Sequence, residues 1–350
     1  MKPADPAGFV MPGAVRASAP RERRLAEAGV LAVVFLWAGN FVVVKAVIEA
    51  IPPVAFTFLR YGLAAVTLLA LLRWREGDIR LPRSDVPAIA VLGVIGFGIY
   101  QVLWTVGLET VPAGDSALIV ASTPVLVAVL AVAAGSDVLT RSRALGALVS
   151  FAGVALVVGA NGLTVGTSVL GDLLTLGAAL CWAIYTAWGA PILRRHSALR
   201  TTAWTTVFGT LFLAPIGLAQ FAFAAGSGGP SEVTVAAVIP VFAAVVYSGW
   251  LAAGFPNVAI FHAVALLGPT RVTAFQFLVP AVTVVVAFVA LAEPIRLAQI
   301  VGGVVIVAGI LVMRGTRPGF PAGRARPERR DVRPQVSKPP SGEADAPAVE

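Results

Sequence analysis

"GVLAVVFLWAGNFVVVKAVIEA", residues 29–50, is an unbroken apolar run that carries an asparagine and a lysine in its second half. A helix needs about 20 predominantly apolar residues to cross the hydrocarbon of a bilayer, and this run has that length. The rest of the chain repeats the pattern. Of its 350 residues 58% are hydrophobic and only 13% are charged. Its mean hydropathy is +0.87. So few charges cannot cover the surface of a soluble protein of this size, so lipid must serve as solvent for most of it. Period-two alternation, the mark of a membrane barrel, is absent. The reading is an all-α polytopic membrane protein.

The apolar runs place ten spans at 29–50, 53–73, 86–110, 113–134, 143–160, 169–192, 200–224, 235–267, 270–291 and 296–314. Turn residues separate them, among them "IPP" at 51–53 and "GSGGPSE" at 226–232. If the N-terminus is cytoplasmic and the chain alternates, twenty-three of the 26 basic residues fall on the inner side. That bias is the positive-inside rule, and it predicts a multi-pass protein of the cell inner membrane with both termini cytoplasmic. The net charge of +8 is therefore an orientation signal, and no nucleic-acid partner is expected. The first residues lack a continuous apolar stretch before their basic cluster, so no cleavable signal peptide is expected. The expected organisation is a tail over 1–28, a five-helix repeat over 29–160, a second over 161–314, and a Pro- and Arg-rich tail over 315–350 that reads as disordered.

The two halves match at fixed offsets. Pro124 falls on Pro280, Asp137 on Glu293, Gly146 on Gly302, Gly153 on Gly309 and Gln101 on Asn257; Trp37 and Ala38 fall on Trp182 and Ala183. Five spans per half is an odd number, so the halves must enter the membrane from opposite sides. Inverted repeats of this kind build transporters that open alternately to either face. "WAGNFVVVKAV" in the first span, "PPVAFTFLRYGLAA" in the second, the proline-bearing "ASTPVLVAVLA" and "FLVPAVTVVVAFVALAEP", and the glycine-spaced "ALGALVSFAGVALVV" and "QIVGGVVIVAGILVM" resemble, in this order, the EamA-type permeases of the drug/metabolite transporter superfamily. The resemblance covers about 29–314 and implies a small-molecule transporter, not an enzyme. It also implies a cavity built from the first, third, fourth, sixth, eighth and ninth spans. "AGSD" at 134–137 departs from the family's usual glutamate there.

Polar residues inside spans are functional candidates because burying them in hydrocarbon is costly. Cavity-lining candidates are Asn40, Lys45, Tyr100, Gln101, Trp104, Tyr185, Asn257, His262 and Gln276. Each has a plainer reading. Lys45 can snorkel to the headgroups or pair with Glu49, Asn40 can join two helices, and aromatic stripes are commonly packing. Arg60 reads as structural, a partner for Glu109 or a helix end. Pro124 and Pro280 loosen their helices a turn upstream and are candidates for helix breaks that gate the site. The glycine pairs Gly146/Gly153 and Gly302/Gly309 read as close helix packing.

No cofactor or metal is expected: one cysteine and two histidines are too few for a zinc site, and no Walker A loop occurs. The leading expectation is a secondary exporter of small polar metabolites, with amino acids favoured by the resemblance. The alternatives are a multidrug or lipid-like exporter and a non-transporting sensor or scaffold. The lipid bilayer is the second partner, and a homodimer stays open.

Overall fold

The computed structural model describes residues 20–134, 140–159, 167–193, 195–226, 235–254, seven positions between 256 and 272, and 275–314. All regular structure among them is helical. We name the elements α1 (Pro20–Val47), α2 (Pro53–Glu76), α3 (Val86–Thr110), α4 (Ala113–Ala133), α5 (Arg141–Gly159), α6 (Thr167–Leu193), α7 (Ala198–Gly226), α8 (Val235–Val246, continued by a π-helical stretch Tyr247–Gly254), α9 (Leu278–Leu291) and α10 (Leu297–Arg314).

The first seven are long and apolar enough to cross a membrane; the apolar helices Val238–Ala253, Leu278–Leu291 and Leu297–Met313 are shorter. Helix α1 begins at Pro20, earlier than the expected end of the tail at 28, because Arg21, Glu22, Arg23 and Arg24 continue its helix beyond the apolar run. Large apolar side chains such as Val66, Phe223 and Val289 stand more than two-thirds exposed, as lipid-facing residues would.

Proline and glycine set the local irregularities. Helix α4 is interrupted at Ala121–Ser122, just before Pro124 in the first turn of its second segment. Proline has no amide hydrogen to donate to the preceding turn. Helix α9 begins after a turn at Phe277, three residues before Pro280. The two breaks occupy equivalent positions of the repeat. A second matched pair is less familiar: α3 contains a π-helical stretch at Val94–Ile99 and α8 one at Tyr247–Gly254. Such widened turns take carbonyls out of the ordinary ladder and concentrate at functional sites.

Helix pairing repeats the duplication. The packed pairs include α1 with α9 and α6 with α4, α3 with α6 and α8 with α1, and α3 with α7 and α8 with α2. The pairs α2–α7 and α5–α10 each map onto themselves when every helix is exchanged for the one five places away. The contact pattern therefore has an approximate two-fold relation.

Helices α5 and α10 cross on glycine. A β-carbon at Gly153 would lie 2.7 Å from the Gly302 carbonyl oxygen and 2.7 Å from the Ile306 nitrogen; one at Gly146 would lie 2.5 Å from the Gly309 oxygen. Only glycine permits backbones so close. Ser150 locks the crossing by donating to the Ile306 carbonyl at 3.1 Å.

Candidate functional site

The buried polar centre of the bundle is organised by Arg60, two turns into α2. Its side chain belongs to a residue only 2% exposed. One Nη donates to Ser248 Oγ at 2.8 Å and the other to Gln101 Oε1 at 2.5 Å. From these the bonds run outward: Ser248 Oγ donates to Asn40 Oδ1 at 2.5 Å, and Gln101 Nε2 donates to Tyr61 Oη at 2.5 Å. The guanidinium is thus the donor from which two polarised chains start, one across the repeat boundary to α8 and back to α1, the other within α2 and α3.

Three aromatic rings lie around the guanidinium. Its central carbon lies 4.9 Å from the Tyr61 ring centroid, 5.3 Å from Trp104 and 5.7 Å from Phe56. Cation–π contacts contribute about 0.5–2 kcal/mol each, more when desolvated. They offset part of the several kcal/mol required to bury a charge, but they carry no negative charge. Among the described residues no carboxylate pairs with Arg60, and its Nε is buried without an acceptor.

The π-helical stretches place the partners. Gln101 follows the one in α3 and Ser248 lies within the one in α8. Besides the Ser248–Asn40 bond, the widened turn of α8 is anchored to α1 by two more: Trp37 Nε1 donates to the Ala252 carbonyl at 3.0 Å, and Tyr247 Oη to the Leu36 carbonyl at 2.9 Å. Gly249 lets α8 close on α2, since a β-carbon there would lie 2.7 Å from the Arg60 carbonyl oxygen.

Beside this network lies an aromatic cluster. Phe97 bridges Tyr61 at 5.9 Å and Tyr185 at 5.2 Å; Trp182 lies 5.1 Å from Tyr185 and 5.5 Å from Tyr100. Tyr185 is let in by Gly96, where a β-carbon would lie 2.6 Å from its ring.

The structure therefore joins Asn40, Gln101 and Trp104 around one centre, with Tyr100 beside Trp104 at 6.5 Å. Tyr185 belongs to the neighbouring cluster, meeting the widened turn of α3 as Asn40 meets that of α8. Lys45 is elsewhere. Its Nζ donates to the carbonyls of Leu108 at 2.5 Å and Glu109 at 3.1 Å, the last turn of α3. The orphan carbonyls at a helix end and the helix dipole attract a cation, and the carboxylates of Glu293, Glu49 and Glu109 act on the same charge. Gln276 is half-buried and makes none of the network's bonds. Asn257 and His262 lie outside the described residues, as do Asp137 and the tail 315–350.

Arg60, Tyr61 and Ser248 were not legible as a site in the sequence. Arg60 reads from sequence as structural, a partner for Glu109 or a helix end, but it lies about two turns inside α2 and its bonds go to Gln101 and Ser248. The available signal was an arginine flanked by aromatics with no acidic residue a helical turn away.

Apolar helices with lipid-type surfaces around a buried polar centre define a polytopic helical membrane protein. The EamA-like transporter family model matches residues 24–159 and again 169–315, and the chain belongs to this family. A Streptantibioticus cattleyicolor protein named "Probable terminal-alkyne amino-acid exporter" is 32% identical over 85% of this chain and 96% of its own length. An Archaeoglobus fulgidus protein named as an uncharacterized transporter is 28% identical over 79% of this chain and 92% of its own. A Chlamydia trachomatis S-adenosylmethionine/S-adenosylhomocysteine transporter is 34% identical over 26% of this chain and 28% of its own. One crystal structure superposes with a TM-score of 0.56 at 21% identity, covering 83% of this chain and 97% of that one, a likeness of fold. The family and these relatives are named as transporters, not enzymes.

Proposed function

We propose that the chain is a secondary transporter that exports small polar metabolites, amino acids or their derivatives, across the cell inner membrane by alternating access. In this reading the ten apolar helical elements are ten spans in two inverted repeats, 29–160 and 161–314, with both termini cytoplasmic. The observation that carries it is the Asn40–Ser248–Arg60–Gln101 network, a polar centre stitched across the boundary between the halves. A seam between repeats is where inverted-repeat transporters hold their substrate. The amino-acid class draws on the relative named as an exporter of such compounds, and on a site of amides, hydroxyls and aromatics suited to small polar ligands. The helix breaks before Pro124 and Pro280 supply hinges at matched positions.

The test is flux. Purified protein in proteoliposomes is offered radiolabelled amino acids and related metabolites, with and without an imposed pH gradient. Saturable movement of at least one small polar solute above protein-free vesicles is expected. If correctly folded protein moves none of them, the reading falls.

A further inference from the structure

We infer that Arg60 is an anion site that anchors a monocarboxylate group of the substrate. The inference rests on the transport reading above and gives its substrate a required chemical group.

The guanidinium of Arg60 is only partly hydrogen-bonded. An arginine side chain stays charged and has five N–H donors in a rigid plane. Two are used, on Ser248 and Gln101, while Nε is buried with no acceptor. An unmet buried donor is costly, and an uncompensated buried charge more so. A residue kept only for structure would be expected to have a carboxylate partner, yet none pairs with it among the described residues. The group whose chemistry matches a buried cation with an unmet donor is an anion.

Geometry narrows the class. Phe56, Tyr61 and Trp104 crowd the guanidinium at 5.7, 4.9 and 5.3 Å. The N–H bonds of a guanidinium lie in its own plane, and with two of them on Ser248 and Gln101 the donors left are Nε–H and one N–H on each Nη. A planar two-oxygen acceptor fits such an edge as a fork. Charge counting selects a carboxylate over a phosphate dianion. A dianion calls for a second cation, and Lys45, on α1, is engaged elsewhere: it donates to the Leu108 and Glu109 carbonyls, and Leu108 is seven residues, about 10 Å, further along α3 than Gln101.

The test compares each acid with its own primary amide, which keeps the shape and removes the charge. L-Leucine and 4-methylpentanoate are titrated against leucinamide and 4-methylpentanamide, using purified full-length protein and calorimetry, and the same four compounds are followed in proteoliposomes. Wild type is expected to bind acids over amides by at least about tenfold. Arg60→Gln should bring that ratio to about one, and Arg60→Lys should leave an intermediate ratio. A purely structural arginine would lower folded yield or weaken all four ligands together without moving the ratio. If Arg60→Gln does not fold, the wild-type ratio and Arg60→Lys still decide. Equal affinity for acids and amides in wild type, or no acid binding, overturns the inference, as does an acid preference that survives Arg60→Gln. Flux of amides alongside acids in that case leaves the transport reading standing, whereas acid-selective binding without flux of any compound keeps the anion site and removes transport.

Discussion

At the scale of single residues, a polar side chain in an apolar run announces a cost but not the partner that meets it. Asn40, Gln101 and Trp104 were legible because amides and indoles in hydrocarbon demand hydrogen bonds, and the structure gathers them at one centre. For Arg60 the partner read from sequence, Glu109, lies on the right helix at the wrong turn: the guanidinium bonds Gln101, about two turns earlier on α3, and Ser248 on α8, because sequence does not show the register in which one helix meets another. Lys45 was read in part: Glu49, close in sequence, does act on its charge, but its hydrogen bonds go to the end of α3, which is close only in space. Lys45→Met should therefore weaken the fold itself. It strips the Leu108 and Glu109 carbonyls of their donor, a loss of about 1–3 kcal/mol for a partly buried charged hydrogen bond. Thermal unfolding in detergent micelles should show a lower midpoint than wild type, with Glu49→Gln close to wild type. Equal loss in both variants would restore the Lys45–Glu49 pair as the stabilising contact.

At the scale of the helix, spacing reads well and backbone irregularity does not. The glycines of α5 and α10 recur on one face and form a contact whose closeness follows from having no side chain. The π-helical stretches in α3 and α8 are different: nothing in hydrophobic periodicity marks an extra residue in a turn. Their trace in the sequence is limited to clustered small residues, Gly96 and Gly98 in one and Ser248 and Gly249 in the other. Gly153→Ala puts a methyl 2.7 Å from both an oxygen and a nitrogen of α10's backbone, so the helices must separate, at about 1–3 kcal/mol as for other overpacked contacts. Gly29→Ala, in α1 with open space around it, should instead be neutral or stabilise by up to about 1 kcal/mol, the helix-propensity gain. Denaturation midpoints of the two variants in one detergent should move in opposite directions or by clearly unequal amounts. Similar shifts would show that the crossing is compliant enough to absorb a methyl group.

At the scale of the molecule, the two halves are tied at both ends of the seam, and the ties differ in chemistry. On one side Asp85 precedes α3 without capping it. Its carboxylate instead holds Arg195 and His196 of the second half, both at 2.7 Å, while Glu76 meets Arg200 at 3.1 Å. On the other side Glu293 accepts from the amides of Ala113 at 2.9 Å and Gly114 at 3.4 Å, an anion at the start of α4 where the helix dipole favours it. The left-handed turn at Ala292, φ 54°, directs the chain back for that contact. If the halves rock about the Arg60 centre, weakening one tie should favour opening at that end. Cys181, half-buried on α6 beside Trp182, which packs on Tyr100, is a native reporter. Asp85→Asn should speed its labelling by an impermeant maleimide applied from the Asp85 face, and Glu293→Gln should speed labelling from the opposite face. A tie worth about 1.4 kcal/mol corresponds to about a tenfold change in the open population, well within reach of rate measurements in oriented vesicles. Labelling that rises from both faces in either variant would mean the ties hold the fold together and not the balance between two states.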